Sequence, residues 1–177
     1  MGKALIFCGI KHCGKSTLGK AVSELLALPF RDTDEMLEER FHLTVRELYK
    51  SVGEEEFRRR ESELLSSFEA ETPQVISLGG GALLKSENVP VLQALGKIIW
   101  CDVDDRTAFE RIEKKGLPPF LAQADDPFAA FRSSNESRRV VFNAVSSVRF
   151  EADKMLSPAE NARELCKLLM EKGMIKQ

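Results

Sequence analysis

Near the start of the chain, Gly9-Ile10-Lys11-His12-Cys13-Gly14-Lys15-Ser16 has the form G-x-x-x-x-G-K-[ST], and Thr17 follows it. Residues of these types at this spacing can hold phosphate. The backbone N–H groups of a glycine-bearing loop, together with the N-terminus of the next helix, point at one spot and favour negative charge there. Gly9 and Gly14 allow the backbone angles and the close approach that a phosphate requires. Lys15 is placed to reach the β- and γ-phosphates of a nucleotide, and the Ser16 hydroxyl to hold a magnesium ion. The expected phosphate contacts therefore run through Gly9, Ile10, Lys11, His12, Cys13, Gly14, Lys15, Ser16 and Thr17.

Three later stretches add further chemistry. Asp32 and Asp34 lie two residues apart, so in extended chain both carboxylates leave one face. Beside a phosphate loop, such a pair can steer magnesium and accept a proton from a substrate hydroxyl. The pair also suits a plain helix N-cap followed by a turn residue, and the residues alone leave both readings open. In Gly53-Glu54-Glu55-Glu56-Phe57-Arg58-Arg59-Arg60-Glu61, Glu54, Arg58 and Glu61 share one helix face. A carboxylate on each side would extend Arg58 and pre-set its planar fork for a ligand carboxylate, although charged helices of this kind are commonly just solvated. Gly79-Gly80-Gly81 removes side chains where something must approach the backbone, or else forms a flexible loop.

These groups need a scaffold. Ala4–Cys8 is an apolar run suited to a buried strand, and Leu18, Ala21, Val22, Leu25 and Leu26 recur at helical spacing behind the loop. Residues 28–32 read as a second strand, 74–78 as a third and 97–103 as a fourth, with 148–150 as a short last one. Between them lie helices around Met36–Phe41, from the capping box Thr44-Val45-Arg46-Glu47, from Gly53 to Ala70, near Val89–Leu95, over Asp105–Lys115 and in part over Phe128–Val145. Gly116–Pro127 reads as a loop. Ser157-Pro158-Ala159-Glu160 caps a terminal helix that carries Ala162, Leu165, Leu168 and Leu169 on its inner face. Strands alternating with helices predict an α/β fold, a parallel sheet covered on both faces. In such sheets ligands bind beyond the carboxyl ends of the strands, where the phosphate loop, the aspartates and the glycine triplet all fall.

Composition narrows the class of molecule. With 177 residues, 43% hydrophobic and 31% charged, the chain suits one globular domain that buries about 70% of its unfolded surface. A net charge of −2 offers no support for a nucleic-acid or membrane partner. No apolar run approaches the ~18 residues of a membrane span and no signal-peptide pattern is present, so a cytoplasmic protein is expected. Cys8, Cys13, Cys101 and Cys166 are scattered and expected to be free thiols. His12 and His42 lack metal-ligand spacing and are expected in loops or at the surface.

The stretches G-I-K-H-C-G-K-S-T, D-T-D, G-E-E-E-F-R-R-R-E and G-G-G, in this order and approximate spacing, resemble the shikimate kinase family. The resemblance covers most of the chain and thins after about Lys115. It implies a single P-loop kinase domain over 1–177, a three-layer α/β/α fold with a central parallel five-stranded sheet. An acceptor-binding helical region is expected at about 34–62 and a lid at about 112–127. The implied reaction is phosphoryl transfer from ATP to the 3-hydroxyl of shikimate, with Mg²⁺, by a monomer that needs no nucleic acid or membrane. Carried over by position, Lys15 and Ser16 hold phosphates and Mg²⁺, Asp32 supports the metal, and Asp34 binds the acceptor hydroxyls and assists as base. Arg58, backed by Glu61, clamps the acceptor carboxylate, Gly79, Gly80 and Gly81 line its pocket, and Arg111 lies near the adenine. In Arg138-Arg139-Val140-Val141-Phe142, Arg138 is the better match to a second carboxylate arginine, with Arg139 left open.

Two positions depart from the pattern. Pro118 stands where the family places a lid arginine, and Leu156 where it places an arginine before an x-P pair. Lys114 and Lys115 are the nearest cations to the lid, with Lys115 expected to matter more. Two other functions fit less well: another small-molecule P-loop kinase with a carboxylate-bearing acceptor, and a non-catalytic nucleotide-binding regulator. Binding alone would not require Asp32 and Asp34.

Overall fold

A computed structural model describes residues 3–176, with the side chains of Lys115, Pro119 and Phe120 outside the described set. Five strands, β1 (Ala4–Cys8), β2 (Phe30–Asp32), β3 (Val75–Ser77), β4 (Gly96–Asp102) and β5 (Val148–Glu151), form one all-parallel sheet in the order β2-β3-β1-β4-β5. Its central strands are buried from end to end: β1 and β3 entirely, and β4 from Ile98 onward. Continuous apolar runs are what a sheet covered on both faces demands. The register sets Ile6 against Ile76 on one side and Ile98 on the other.

Helices α1 (Lys15–Leu26) and α8 (Pro158–Glu171) pack together through Leu18, Val22, Leu165 and Leu169 on one side of the sheet. The other layer holds α3 (Val45–Ser66), α4 (Asn88–Leu95) and α7 (Pro127–Val145), joined by a single 3₁₀ turn at Ala82–Leu84. Helix α2 (Thr33–Phe41) leans on α3 and shares with it a separate small core of Leu37, Leu48, Phe57 and Leu64. Helix α5 (Asp105–Lys115) and the one-turn α6 (Pro119–Ala122) complete the chain order.

The expected three-layer α/β/α architecture is present, with corrections to individual elements. The predicted helices at 44 and 53 are continuous in hydrogen bonding but broken in direction at Gly53, whose φ of 80° and ψ of 172° are not helical. That helix ends at Ser66 rather than Ala70. The loop expected over Gly116–Pro127 contains α6, which begins at the second of two consecutive prolines. Helix α7 is whole rather than partial, started by Asp126 accepting from Ala129 N–H and by Pro127 in the first turn. Both predicted capping boxes, Thr44 with Glu47 and Ser157 with Glu160, are formed. All four cysteines are buried free thiols. Burial pushes the Cys13 thiol above its ordinary range, more than Lys15 beside it draws it down.

Candidate active site

The loop after β1 runs into α1 with Gly14 in the left-handed region, φ 95°, as the residue before the helix. At Gly9, φ 154°, a methyl would stand 2.5 Å from the Cys101 carbonyl oxygen and 2.6 Å from Cys13 Sγ, so only glycine lets the loop lie against the end of β4. Cys13 therefore fills the space beneath the loop. His12 takes a positive φ of 65°, and its carbonyl accepts from Arg111 Nη1 at 3.1 Å. Arg111 thus reaches the rim of the phosphate loop from α5.

Ser16, in the first turn of α1, turns toward the neighbouring strands. Its hydroxyl donates to Asp32 Oδ2 at 2.7 Å and meets Ser77 Oγ at 2.9 Å. Asp32 is the last residue of β2 and also caps α2, its Oδ1 accepting from Asp34 N–H at 3.0 Å and Glu35 N–H at 3.5 Å. The helix-cap reading of Asp32 is met through Oδ1, while Oδ2, facing the other way, is held by the loop serine. Asp34 already lies on the helix, so the extended-chain geometry expected for the pair does not occur. Thr33 between them accepts from Gly79 N–H at 2.8 Å, tying the aspartate segment to the glycine triplet.

The glycine triplet leaves room for charged side chains. A methyl on Gly79 would stand 2.5 Å from Asp34 Oδ1 and 3.1 Å from Glu61 Oε1, and one on Gly81 would overlap the Arg58 guanidinium. Asp34, Glu61 and Arg58 therefore gather over residues 79–81. Arg58 Nη1 donates to Glu61 Oε2 at 2.8 Å, and Glu61 is 1% exposed. Burial raises the proton affinity of Glu61, opposed by Arg58. For Asp34, burial first and Asp32 second push the carboxyl above its ordinary range, while Lys15 and Lys11 pull it down. Glu61 is the carboxylate that flanks Arg58; Glu54, expected on its other side, forms no ion pair with it among the described residues.

Arg138 and Arg139 diverge. Arg138 Nη1 donates weakly to Asn135 Oδ1 at 3.4 Å, and its buried Nε has no hydrogen-bond partner. Desolvation and the nearby positive charge of Arg58 both favour losing its proton. Two guanidinium groups thus converge at one place, and only Arg58 has a carboxylate of its own. Arg139 turns away: its Nη atoms are taken up by Asp102, Asp105 and the Val103 carbonyl, while its buried Nε, like that of Arg138, has no hydrogen-bond partner.

Beside this place, a cavity of about 630 Å³ opens over the phosphate loop. Its walls include Lys11 to Thr17, Arg111, Lys114, Phe150, Lys154, Leu156 and Pro158. Sequence reasoning missed Thr33, Ser77 and Asn135. Ser77 was findable as the one polar residue closing an apolar strand at its ligand-facing end. Asn135 carries no such signal, being simply one turn before Arg138. The donor set around Ser16 is hard oxygen, one carboxylate and two hydroxyls. No group of three or more His, Cys, Asp or Glu that could hold a metal occurs among the described residues. That set fits magnesium, which typically takes one or two carboxylates together with phosphates and keeps several waters.

A parallel sheet with a glycine loop feeding a helix, a serine–aspartate pair beneath it and two arginines beside a glycine triplet defines a P-loop phosphotransferase. A family model described as Shikimate kinase matches residues 11–170. A shikimate kinase of Symbiobacterium thermophilum is 34% identical over 171 residues, covering 96% of this chain and 97% of that one. One of Bacteroides fragilis is 33% identical over 170 residues, covering 93% and 95%. Among solved structures, the shikimate kinase of Bacteroides thetaiotaomicron superposes with a TM-score of 0.83 at 29% identity, covering 96% of this chain and 99% of that one. The shikimate kinase of Acinetobacter baumannii in complex with shikimate gives a TM-score of 0.87 at 22% identity, covering 99% and 97%, and shares the fold. The chain belongs to the shikimate kinase family, whose members are ATP-dependent kinases.

Proposed function

We propose that this chain transfers the γ-phosphoryl group of ATP to the 3-hydroxyl of shikimate, with Mg²⁺, through a division of labour between its two pockets. The observation that carries the acceptor half is the convergence of Arg58 and Arg138, a doubly cationic, partly desolvated place in which Glu61 pairs with Arg58 and Arg138 has no carboxylate of its own. A carboxylate bound there would relieve their mutual repulsion and satisfy their free donors. Gly79, Gly80 and Gly81 give the acceptor ring access to the backbone, and Asp34 takes the proton that its attacking hydroxyl releases. The raised proton affinity of Asp34 suits that task.

On the nucleotide side, the backbone from Gly9 to Thr17 and the Lys15 ammonium hold the phosphates. Arg111 from one side and the apolar Leu156 and Pro158 from the other enclose the base, replacing the arginine absent at Leu156. Ser16 and Asp32 would hold Mg²⁺. Bound there, the ion would supply charge neutralisation between the terminal phosphates. The roughly 34–62 segment, with its separate small core, acts as the acceptor-binding region and about 112–127 as the lid of a single domain. A monomer in the cytoplasm, without nucleic-acid or membrane partners, accords with the net charge of −2 and four free thiols. No described helix is long and apolar enough to cross a membrane.

The test combines turnover with calorimetry. ADP release with ATP·Mg²⁺ should depend on shikimate and fall away with an analogue that lacks the carboxylate, since buried arginines would be left unpaired. Arg58→Ala should weaken shikimate binding by about ten- to several hundredfold and leave ATP binding nearly unchanged. Equal damage to both ligands would place Arg58 outside the acceptor pocket.

A further inference from the structure

Consecutive helical residues point about 100° apart, so two neighbouring arginines on α7 cannot serve one pocket. Arg138 faces Arg58. Arg139, 23% exposed at its side chain, grips the far side: Asp102, the Val103 carbonyl at 2.9 Å and Asp105 Oδ1 at 2.8 Å. These three acceptors lie at the end of β4 and the start of α5. Asp102 is 6% exposed, and Val103 N–H at 2.9 Å and Arg149 at 2.6 Å fix it further. A planar fork held on three fixed acceptors restrains both position and rotation, which an ammonium or an apolar contact does not. Any roll of α7 that released this grip would carry Arg138 away from Arg58.

We propose that Arg139 is a positioning residue for acceptor binding: its fork on Asp102, Val103 and Asp105 sets the rotation of α7 that keeps Arg138 aimed at the acceptor carboxylate. The proposal rests on the reading of Arg138 given above. Asp102 is a poor site for the test because it also lines the nucleotide cavity. Arg139 and Asp105 are better, since neither is among that cavity's walls.

Steady-state kinetics on Arg138→Ala, Arg139→Ala and the double variant tests it, with thermal melting to confirm folding. Arg139→Ala should raise KM for shikimate about tenfold, with kcat and KM for ATP changing less than about threefold. In the Arg138→Ala background, Arg139→Ala should add less than about twofold, because the group it positions is gone. Arg139→Lys should recover only part of the loss. Where Arg139→Ala does not fold, Asp105→Asn removes one arm of the grip and should give a smaller rise in shikimate KM that also vanishes beside Arg138→Ala. Multiplicative effects in either double variant, or an equal rise in KM for ATP, overturn the proposal while leaving Arg138 in the acceptor site. An unchanged shikimate KM in Arg138→Ala alone removes the acceptor reading and the proposal together.

Discussion

Burial and the neighbouring Asp32 raise the proton affinity of Asp34, while Lys15 and Lys11 lower it, and the raising influences prevail. The consequence reaches beyond catalysis. A carboxyl with a raised folded-state pKa favours the fold fully below its unfolded pKa, and that contribution is lost as pH rises through the folded value. At neutral pH, then, the ionised Asp34 works against folding. Asp34→Asn should raise Tm at pH 7, an advantage that shrinks as pH falls from the raised folded value down to the ordinary aspartate range. The same variant should lose about 10²–10⁴ in kcat if Asp34 takes the acceptor proton. In the wild-type enzyme, kcat should fall toward acid with an apparent pKa above that of an ordinary aspartate. Melting curves and a pH–rate profile read both effects. A variant less stable than wild type at pH 7 would show that the lysine attractions, rather than burial, govern this site.

At the scale of elements, much was legible in the sequence and the remainder had definite reasons to be hidden. The loop from Gly9 to Ser16 was legible because a strand, a glycine-bearing turn and a helix start each leave a local signature, and both capping boxes for the same reason. Arg138 and Arg139 could not be separated, because only the rotation of α7 against β4 decides which faces Arg58, and rotation is a tertiary property. Glu54 failed as a partner of Arg58, and it directly follows Gly53, where the helix breaks direction and the even helical spacing assumed from the sequence is interrupted. The glycine triplet was read as a place of close approach without knowing what approaches. The structure supplies it: charged side chains from α2 and α3. Gly81→Ala should therefore displace the Arg58 guanidinium while leaving the fold standing, since the group struck is the far end of a long side chain. The expected result is a shikimate Kd weakened about tenfold or more, with ATP affinity and Tm little changed. Calorimetry and melting curves check it; an unaltered shikimate Kd would mean that Arg58 has another productive position.

Across the whole molecule, the parallel sheet brings distant cations to one opening. Lys11 and Lys15 come from the loop after β1, Arg111 and Lys114 from the helix after β4, and Lys154 from the segment after β5. Several of the remaining arginines nearby are committed elsewhere: Arg132 to Asp105, and Arg139 to Asp102 and Asp105. Pro118 carries no charge, so on the proposed reading the charge that meets the transferring phosphoryl group comes from the cations lining the cavity. Arg111 already donates to the His12 carbonyl, and Lys154 lies 4.0 Å from Asp104. Lys114 is exposed and lines the cavity one helical turn beyond Arg111. The expectation that favoured Lys115 cannot be compared with it, since that side chain lies outside the described residues. Gly116, φ 92° with open space around it, follows directly and could hinge the segment. Arginines that meet transition-state charge are worth about 10³–10⁵ in rate, and a lysine supplies a point charge without the fork. Lys114→Ala should accordingly lower kcat about tenfold, with shikimate KM changing less than about threefold, and Lys114→Arg should match or exceed wild type. Steady-state kinetics on the two variants decides the matter. Wild-type turnover in Lys114→Ala would return the lid-side charge to Arg111, whose guanidinium is the nearest remaining fork to the phosphate loop.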